Sequence, residues 1–430
     1  MKRGYRASVF HCLDDPGEHG EASGYETFED GLLLVDEGRI SAVGNYADLS
    51  DGIGDVDVED LRGHIIVPGL IDCHVHFPQL DIIASYGERL LDWLERYAYP
   101  AEMRYADGDY ARAAAEFFLD EMIANGTTSA AVFATVHKVS ADALFEAADR
   151  RGMRLIAGKV LMDTDVPESL ADDPESGYAD SRDLIERWHG KGRLGYAITP
   201  RFALSSSEAQ LEAAGRLAAE FPDTWVHTHL AENHDEIDAV HRRFPWCDTY
   251  LGVYDRFGLL RRRSLFAHCL HLEDDDRARM AEKGGAAAFC PTSNLFLGSG
   301  LFDLRAMHEA EVPVGIATDV GGGTSLSMLR TMSAAYKVLA LNHQTLPASR
   351  ALYLATLGAA RALELDDHIG NLEPGKEADF VVLNPDATPI TAHRSGKSLE
   401  ETLFTLMMIG DDRHVSATAI AGQLHRSATR

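Results

Sequence analysis

The chain has 430 residues, 45% of them hydrophobic and 25% charged, and 40 basic against 68 acidic side chains leave a net charge of −28. That length suits one large domain with an accessory one, and the acidic field repels nucleic acid and anionic membranes, so the expected partner is a small neutral or cationic molecule. No window approaches about 18 uninterrupted apolar residues, so no transmembrane helix is expected.

The basic residues Lys2, Arg3 and Arg6 are not followed by an apolar stretch, so no secretory signal is expected. Five cysteines (Cys12, Cys73, Cys247, Cys269 and Cys290) are odd in number and contain no Cys-x-x-Cys. They predict a reducing, cytoplasmic setting and argue against a cysteine-ligated zinc site.

Residues 1–66 read as β-rich. Leu32–Val35 and Arg39–Val43 flank Asp36-Glu37-Gly38, a hairpin signature. From Val67 strands and helices alternate. The apolar run Val67–Cys73 ends in His74-Val75-His76; on a strand the two imidazoles share a face, on a helix they do not. Helical patterns follow at Leu90–Tyr97 and at Ala111–Ala124, the latter stopped by Asn125-Gly126. Strand patterns then recur at Thr127–Ala134, Arg154–Met162, Leu194–Pro200, Trp225–Leu230, Ser264–Leu270, Ala286–Cys290 and Val314–Asp319, with helices between them. Eight βα units predict a (β/α)8 TIM barrel over residues 67–370. After a helix at Ala351–Leu363, the run His368–Leu383 turns back to strand, and a last strand is expected at Val415–Leu424. Residues 371–430 are therefore expected to join 1–66 in a small β-sandwich-like domain.

Active sites of such barrels lie at the C-terminal strand ends, so chemistry-bearing residues should end strands. His74 and His76 end the first, His229 with Glu232 the fifth, His268 the sixth and Asp319 the eighth. Three histidine nitrogens and a carboxylate suit Zn²⁺, less often Fe²⁺ or Mn²⁺. Bound Zn²⁺ brings the pKa of water to about 7. Glu232, just off its strand, fits a proton shuttle, and Asp319 can orient the attacking water as well as bind metal. His227 shares the face of His229, and spacing does not separate them; the position nearer the strand end and Glu232 favours His229. His271 is placed outside the ligand set. The segment around Trp93 fits a lid and an ordinary amphipathic helix equally. Gly321-Gly322-Gly323 does not match a phosphate-binding loop.

The His-x-His after Pro68-Gly69, the later His and Asp on successive strand ends and the flanking β segments resemble the amidohydrolase superfamily. Within it the resemblance is to the branch that deaminates guanine. It is carried by Cys73–Gln79, Leu90–Leu94 with Tyr99-Pro100-Ala101-Glu102, Thr199–Ser205, His229–Asn233, Cys290–Leu295 and Thr318–Gly323. It implies hydrolytic loss of the 2-amino group of guanine, one Zn²⁺ per chain on His74, His76, His229 and Asp319, and a homodimer. It also implies that His268 contacts the attacking water, that Glu232 moves protons, and that Gln79, Arg201 and Phe202 hold the purine. Expected substrate contacts are thus His76, Phe77, Gln79, Arg201, Phe202, Glu232 and Asp319, with Phe77 and Phe202 packing on the base. Arg201 has donors only, so it can bond a 6-carbonyl and not a 6-amino group; such a contact discriminates by roughly 10⁴–10⁵.

Some superfamily members bridge two metals with a modified lysine on strand four. Here that strand, Leu194–Ile198, has none, and Lys159 lies on strand three, so one metal is expected. The alternative is a mononuclear zinc aminohydrolase or chlorohydrolase for another nitrogen heterocycle, and whether Arg201 and Gln79 line the pocket discriminates the two. A barrel that has lost its metal is disfavoured by the intact ligand set. Cytidine-type deaminases need His-x-Glu with Pro-Cys-x-x-Cys, which is absent.

Overall fold

Strands from both ends of the chain share one sheet in this structure, a computed structural model that describes residues 2–87, 89–394 and 398–426. In chain order the strands are β1 (Arg3–Cys12), β2 (Tyr25–Asp36), β3 (Arg39–Asn45), β4 (Asp57–Pro68), β5 (Leu70–His76), β6 (Thr127–Phe133), β7 (Arg154–Gly158), β8 (Val160–Leu161), β9 (Leu194–Pro200), β10 (Trp225–Leu230), β11 (Ser264–His268), β12 (Gly285–Phe289), β13 (Val314–Ile316), β14 (Phe380–Leu383), β15 (Val415–Ile420) and β16 (Gln423–Arg426). Two compact units result. One gathers the chain up to Asp72, Asp120–Ser129 and the stretch from Leu326 on; the other holds Cys73–Leu119 and Ala130–Ser325.

The terminal sheet has the order β16-β15-β14-β4-β1-β2-β3. Its register pairs Phe380 with Pro68 and Leu383 with Ile65, so the chain ends are held by backbone bonds. Tyr5, Val9, Leu33, Ile66, Phe380 and Ala419 bury its inner face. The β2–β3 turn at Glu37-Gly38 has positive φ at both residues, as a two-residue hairpin with the twist of its strands requires.

The second sheet runs β13-β12-β11-β10-β9-β7-β6-β5. The pairings β7–β9, β9–β10, β10–β11, β11–β12 and β12–β13 are all parallel. Its ends meet: Asp319 N donates to His74 O, and His76 N donates to Val320 O, both at 2.8 Å. That closure makes the expected (β/α)8 barrel. Strands β5, β6 and β9 are buried along their whole length, the signature of parallel strands covered on both faces.

Three elements expected to run unbroken are divided in the structure. The strand expected over 154–162 is interrupted at Lys159, just after Gly158, where a Cβ would lie 1.8 Å from the Ala197 carbonyl oxygen; only glycine allows that approach. The helix expected over 351–363 is two, Ala348–Ala355 and Leu357–Ala362, broken at Thr356, whose hydroxyl donates back to Leu352 O at 2.6 Å. The last strand is a hairpin, β15 and β16, turning at Ala421 and Gly422, both with positive φ.

Candidate active site

Strand β5 delivers His74 and His76 to one face, and β10 delivers His229 to meet them. His76 Nε2 lies 3.2 Å from His74 Nε2 and 3.1 Å from His229 Nε2. Asp319 Oδ1 lies 3.3 Å from His74 Nε2 and 3.6 Å from His76 Nε2. These four ligand atoms all fall within 4.8 Å of one another. Zn–N bonds of about 2.0–2.1 Å around a tetrahedral ion separate neighbouring nitrogens by about 3.3 Å, so the spacing fits a divalent cation. Burial pushes all three imidazoles well below their usual pKa, which keeps them neutral and able to donate a lone pair. His229 is unambiguous: its Nδ1 faces the Arg201 carbonyl at 2.6 Å and must carry the proton, so Nε2 offers its lone pair to the cluster.

His227, the rival of His229, is turned to the far side of His74, with Nε2 2.8 Å from His74 Nδ1. That is the place of an outer hydrogen bond that orients a ligand, and His227 is outside the four-ligand group. Phe133, at the end of β6, underlies all four rings, with centroids 4.6–5.0 Å from His74, His76, His227 and His229.

On the open side, His268 Nε2 faces Glu232 Oε2 at 3.4 Å and Asp319 Oδ2 at 3.8 Å. Asn294 Nδ2, a donor, sits 2.9 Å from His268 Nδ1, which leaves the imidazole proton on Nε2, toward the carboxylates. Ser299 Oγ donates to Glu232 Oε1 at 2.8 Å. Burial and the charge of Asp319 push Glu232 up to about 8, where it can take and return a proton near neutral pH. Burial likewise raises Asp319. His268 and Asp319 leave their strands with positive φ, 74° and 50°, so the chain turns over sharply at both.

These groups line one cavity. Of the residues singled out from the sequence, His76, Gln79, Arg201, Phe202, His229, Glu232, His268 and Asp319 line it. His74 lies behind its neighbours, fully buried. Phe77 is the exception: it is absent from the lining, and its ring packs on Tyr105 and Phe118 at centroid distances of 5.0 and 5.9 Å. The expectation that Phe77 packs on the base is therefore not met; the 3₁₀ turn that follows His76 points Gln79 inward and Phe77 into the core. Lys159, paired with Asp172, and His271, whose Nε2 donates to Ser299 O at 3.0 Å, stand outside the ligand group. Leu90, Trp93 and Leu94 wall the cavity, so the segment around Trp93 is part of the site.

Four contributors had no role assigned from the sequence. Phe133, Asn294 and Ser299 support ligands or acids, and only the first sits at a readable strand end. Glu102 is wholly buried, and its carboxylate accepts from Arg201 Nη1 at 2.8 and 2.9 Å and from Gln79 Nε2 at 2.9 Å. Its place in the Tyr99-Pro100-Ala101-Glu102 run was the available signal.

A profile of the amidohydrolase family matches residues 65–424. The guanine deaminase of Escherichia coli strain K12 is 50% identical over 425 residues, which cover 98% of this chain and 96% of that protein. A solved structure of E. coli guanine deaminase matches with a TM-score of 0.96 at 49% identity, covering 98% of this chain and 99% of that one. A crystal structure of guanine deaminase from C. acetobutylicum, with bound guanine in its active site, matches with a TM-score of 0.90 at 27% identity, covering 99% and 100% of the two chains.

Proposed function

The chain belongs to the amidohydrolase family, and from that premise we propose that it hydrolyses guanine to xanthine and ammonia. The observation that carries this reading is that Arg201 and Gln79 share one cavity with the His/Asp cluster and Glu232. That pair suits a ring that carries a carbonyl beside an N–H, as guanine does.

His74, His76, His229 and Asp319 would hold one Zn²⁺, which supplies Lewis acidity that brings the pKa of a bound water near 7. Arg201 donates to the 6-carbonyl, and Phe202 lies against the ring, so C2 of the purine faces the carboxylates. Asp319 and His268 orient the attacking water, with His268 donating through Nε2. Glu232 takes a proton from that water as its oxygen bonds to C2. It then gives the proton to the 2-amino nitrogen, the C2–N bond breaks, and ammonia leaves. Leu90, Trp93 and Leu94 exclude bulk water from the ring. A homodimer and a cytoplasmic setting belong to the same proposal; all five cysteines are free, as a reducing compartment would keep them. Among the described residues no helix is long and apolar enough to cross a membrane.

The test is an ultraviolet assay of guanine, adenine, cytosine and triazines side by side, with metal analysis of the same sample. Guanine should be consumed far faster than the rest. Equal or greater turnover of a triazine would overturn the reading.

A further inference from the structure

We infer that Glu102 is a positioning residue that fixes the hydrogen-bond polarity of the purine subsite, so that the site accepts a base with N1–H and a 6-carbonyl and refuses one with the reverse pattern. The inference rests on the guanine reading above and names the device behind its specificity.

A carboxylate only accepts hydrogen bonds. Every partner of Glu102 must therefore turn a donor toward it. For Gln79 this decides the amide: Nε2 faces Glu102 at 2.9 Å, and Oε1 is left on the opposite side. There Oε1 accepts from Gly321 N at 3.3 Å, and one of its two lone pairs remains for a donor in the cavity that Gln79 lines. For Arg201, both Glu102 oxygens hold Nη1, at 2.9 and 2.8 Å, and the guanidinium edge remains a row of donors toward the cavity. Glu102 is not part of the lining and is fully buried, so it acts through these two side chains alone.

The result is an acceptor from Gln79 beside donors from Arg201. The pyrimidine edge of guanine offers N1–H to the first and its 6-carbonyl to the second. In 2,6-diaminopurine the same 2-amino leaving group is present, but N1 accepts and the 6-amino group donates, so both contacts oppose. Without Glu102 only the longer 3.3 Å bond from Gly321 N still favours this orientation of the Gln79 amide. A buried polar mismatch is a strong discriminator, which is why the orientation of one amide can set substrate choice.

The experiment measures ammonia release from guanine and from 2,6-diaminopurine by the metal-loaded enzyme and two variants. The wild type should prefer guanine. Glu102→Leu removes the acceptor that holds Gln79 Nε2, and the preference in kcat/KM should fall by about 10-fold or more. Adding Gln79→Glu to Glu102→Leu returns an acceptor to the cavity beside Arg201, and the preference should recover to within about 3-fold of wild type. A Glu102→Leu enzyme that loses rate equally on both purines, with the preference unchanged, would show a structural role only and overturn the inference. So would a double variant that fails to recover the preference. If Glu102→Leu does not accumulate in folded form, the double variant decides alone, since retained preference supports the inference and lost preference refutes it. A wild type inactive on guanine would instead remove the functional reading itself.

Discussion

The carbonyl of Arg201 accepts a 2.6 Å hydrogen bond from Nδ1 of His229, so the residue proposed to read the purine also orients a proposed metal ligand. Its side chain is anchored just as firmly, by the fully buried Glu102. The proposed recognition and metal-binding roles are thus joined through one residue at the exit of β9.

That anchoring changes what removal of Arg201 does. Arg201→Ala should lower kcat/KM for guanine by about 10- to 100-fold, the worth of a charged hydrogen bond. It also leaves Glu102 as a buried unpaired charge, at a stability cost of about 3–5 kcal/mol. Thermal unfolding should show the loss, and adding Glu102→Ala should restore part of the melting temperature and none of the activity. An unchanged melting temperature in Arg201→Ala would contradict the pairing.

Glu232→Gln should keep the metal and lose turnover. Glu232 lies outside the four-ligand group, and Ser299 can still donate to the amide oxygen. General acid–base groups contribute about 10²–10⁴ in rate, so kcat should fall by that much while metal content by atomic absorption stays at the wild-type level.

Removal of the metal should destabilise the fold as well as stop catalysis, because Asp319 and three imidazoles are grouped at 3.1–3.6 Å in a buried site. A ligand at 100 times its dissociation constant stabilises by about 2.7 kcal/mol. Dialysis against a chelator should lower the melting temperature, and zinc should restore both it and activity. Recovery of activity without any thermal shift would argue against these ligands.

Glu236 predicts a pH dependence of stability. Its carboxylate accepts from Tyr250 OH at 2.7 Å and from the backbone N–H groups of Glu232 and Asn233, and burial pushes it up from 4.5 to about 7. The folded state therefore holds this proton more tightly than the unfolded one. Its contribution is full below pH 4.5 and is lost as pH rises toward 7, by about 3 kcal/mol at most. Glu236→Gln should gain on the wild type across that window in denaturant titrations. A stability difference that does not change between pH 4.5 and 7.5 would refute it.

The barrel and the four residues proposed to hold the metal were legible in the residue pattern alone. Strand periodicity puts His74 and His76 on one face whatever surrounds them, and strand ends are where a (β/α)8 barrel exposes side chains. The residue pattern also determined that the terminal segments are strands, although not that the last one folds back at Ala421-Gly422. The different places of His227 and His229 needed the folded chain, because both share a face: His229 groups with His74, His76 and Asp319, and His227 meets His74 from behind. The tertiary structure alone turned Phe77 into the core and brought Glu102 under Gln79 and Arg201, residues 23 and 99 positions away. The division has a physical cause. Facing along an element follows from local backbone geometry, whereas the partner of a buried polar group follows from chain closure, which here is completed by the bonds between His74, His76 and the loop after β13.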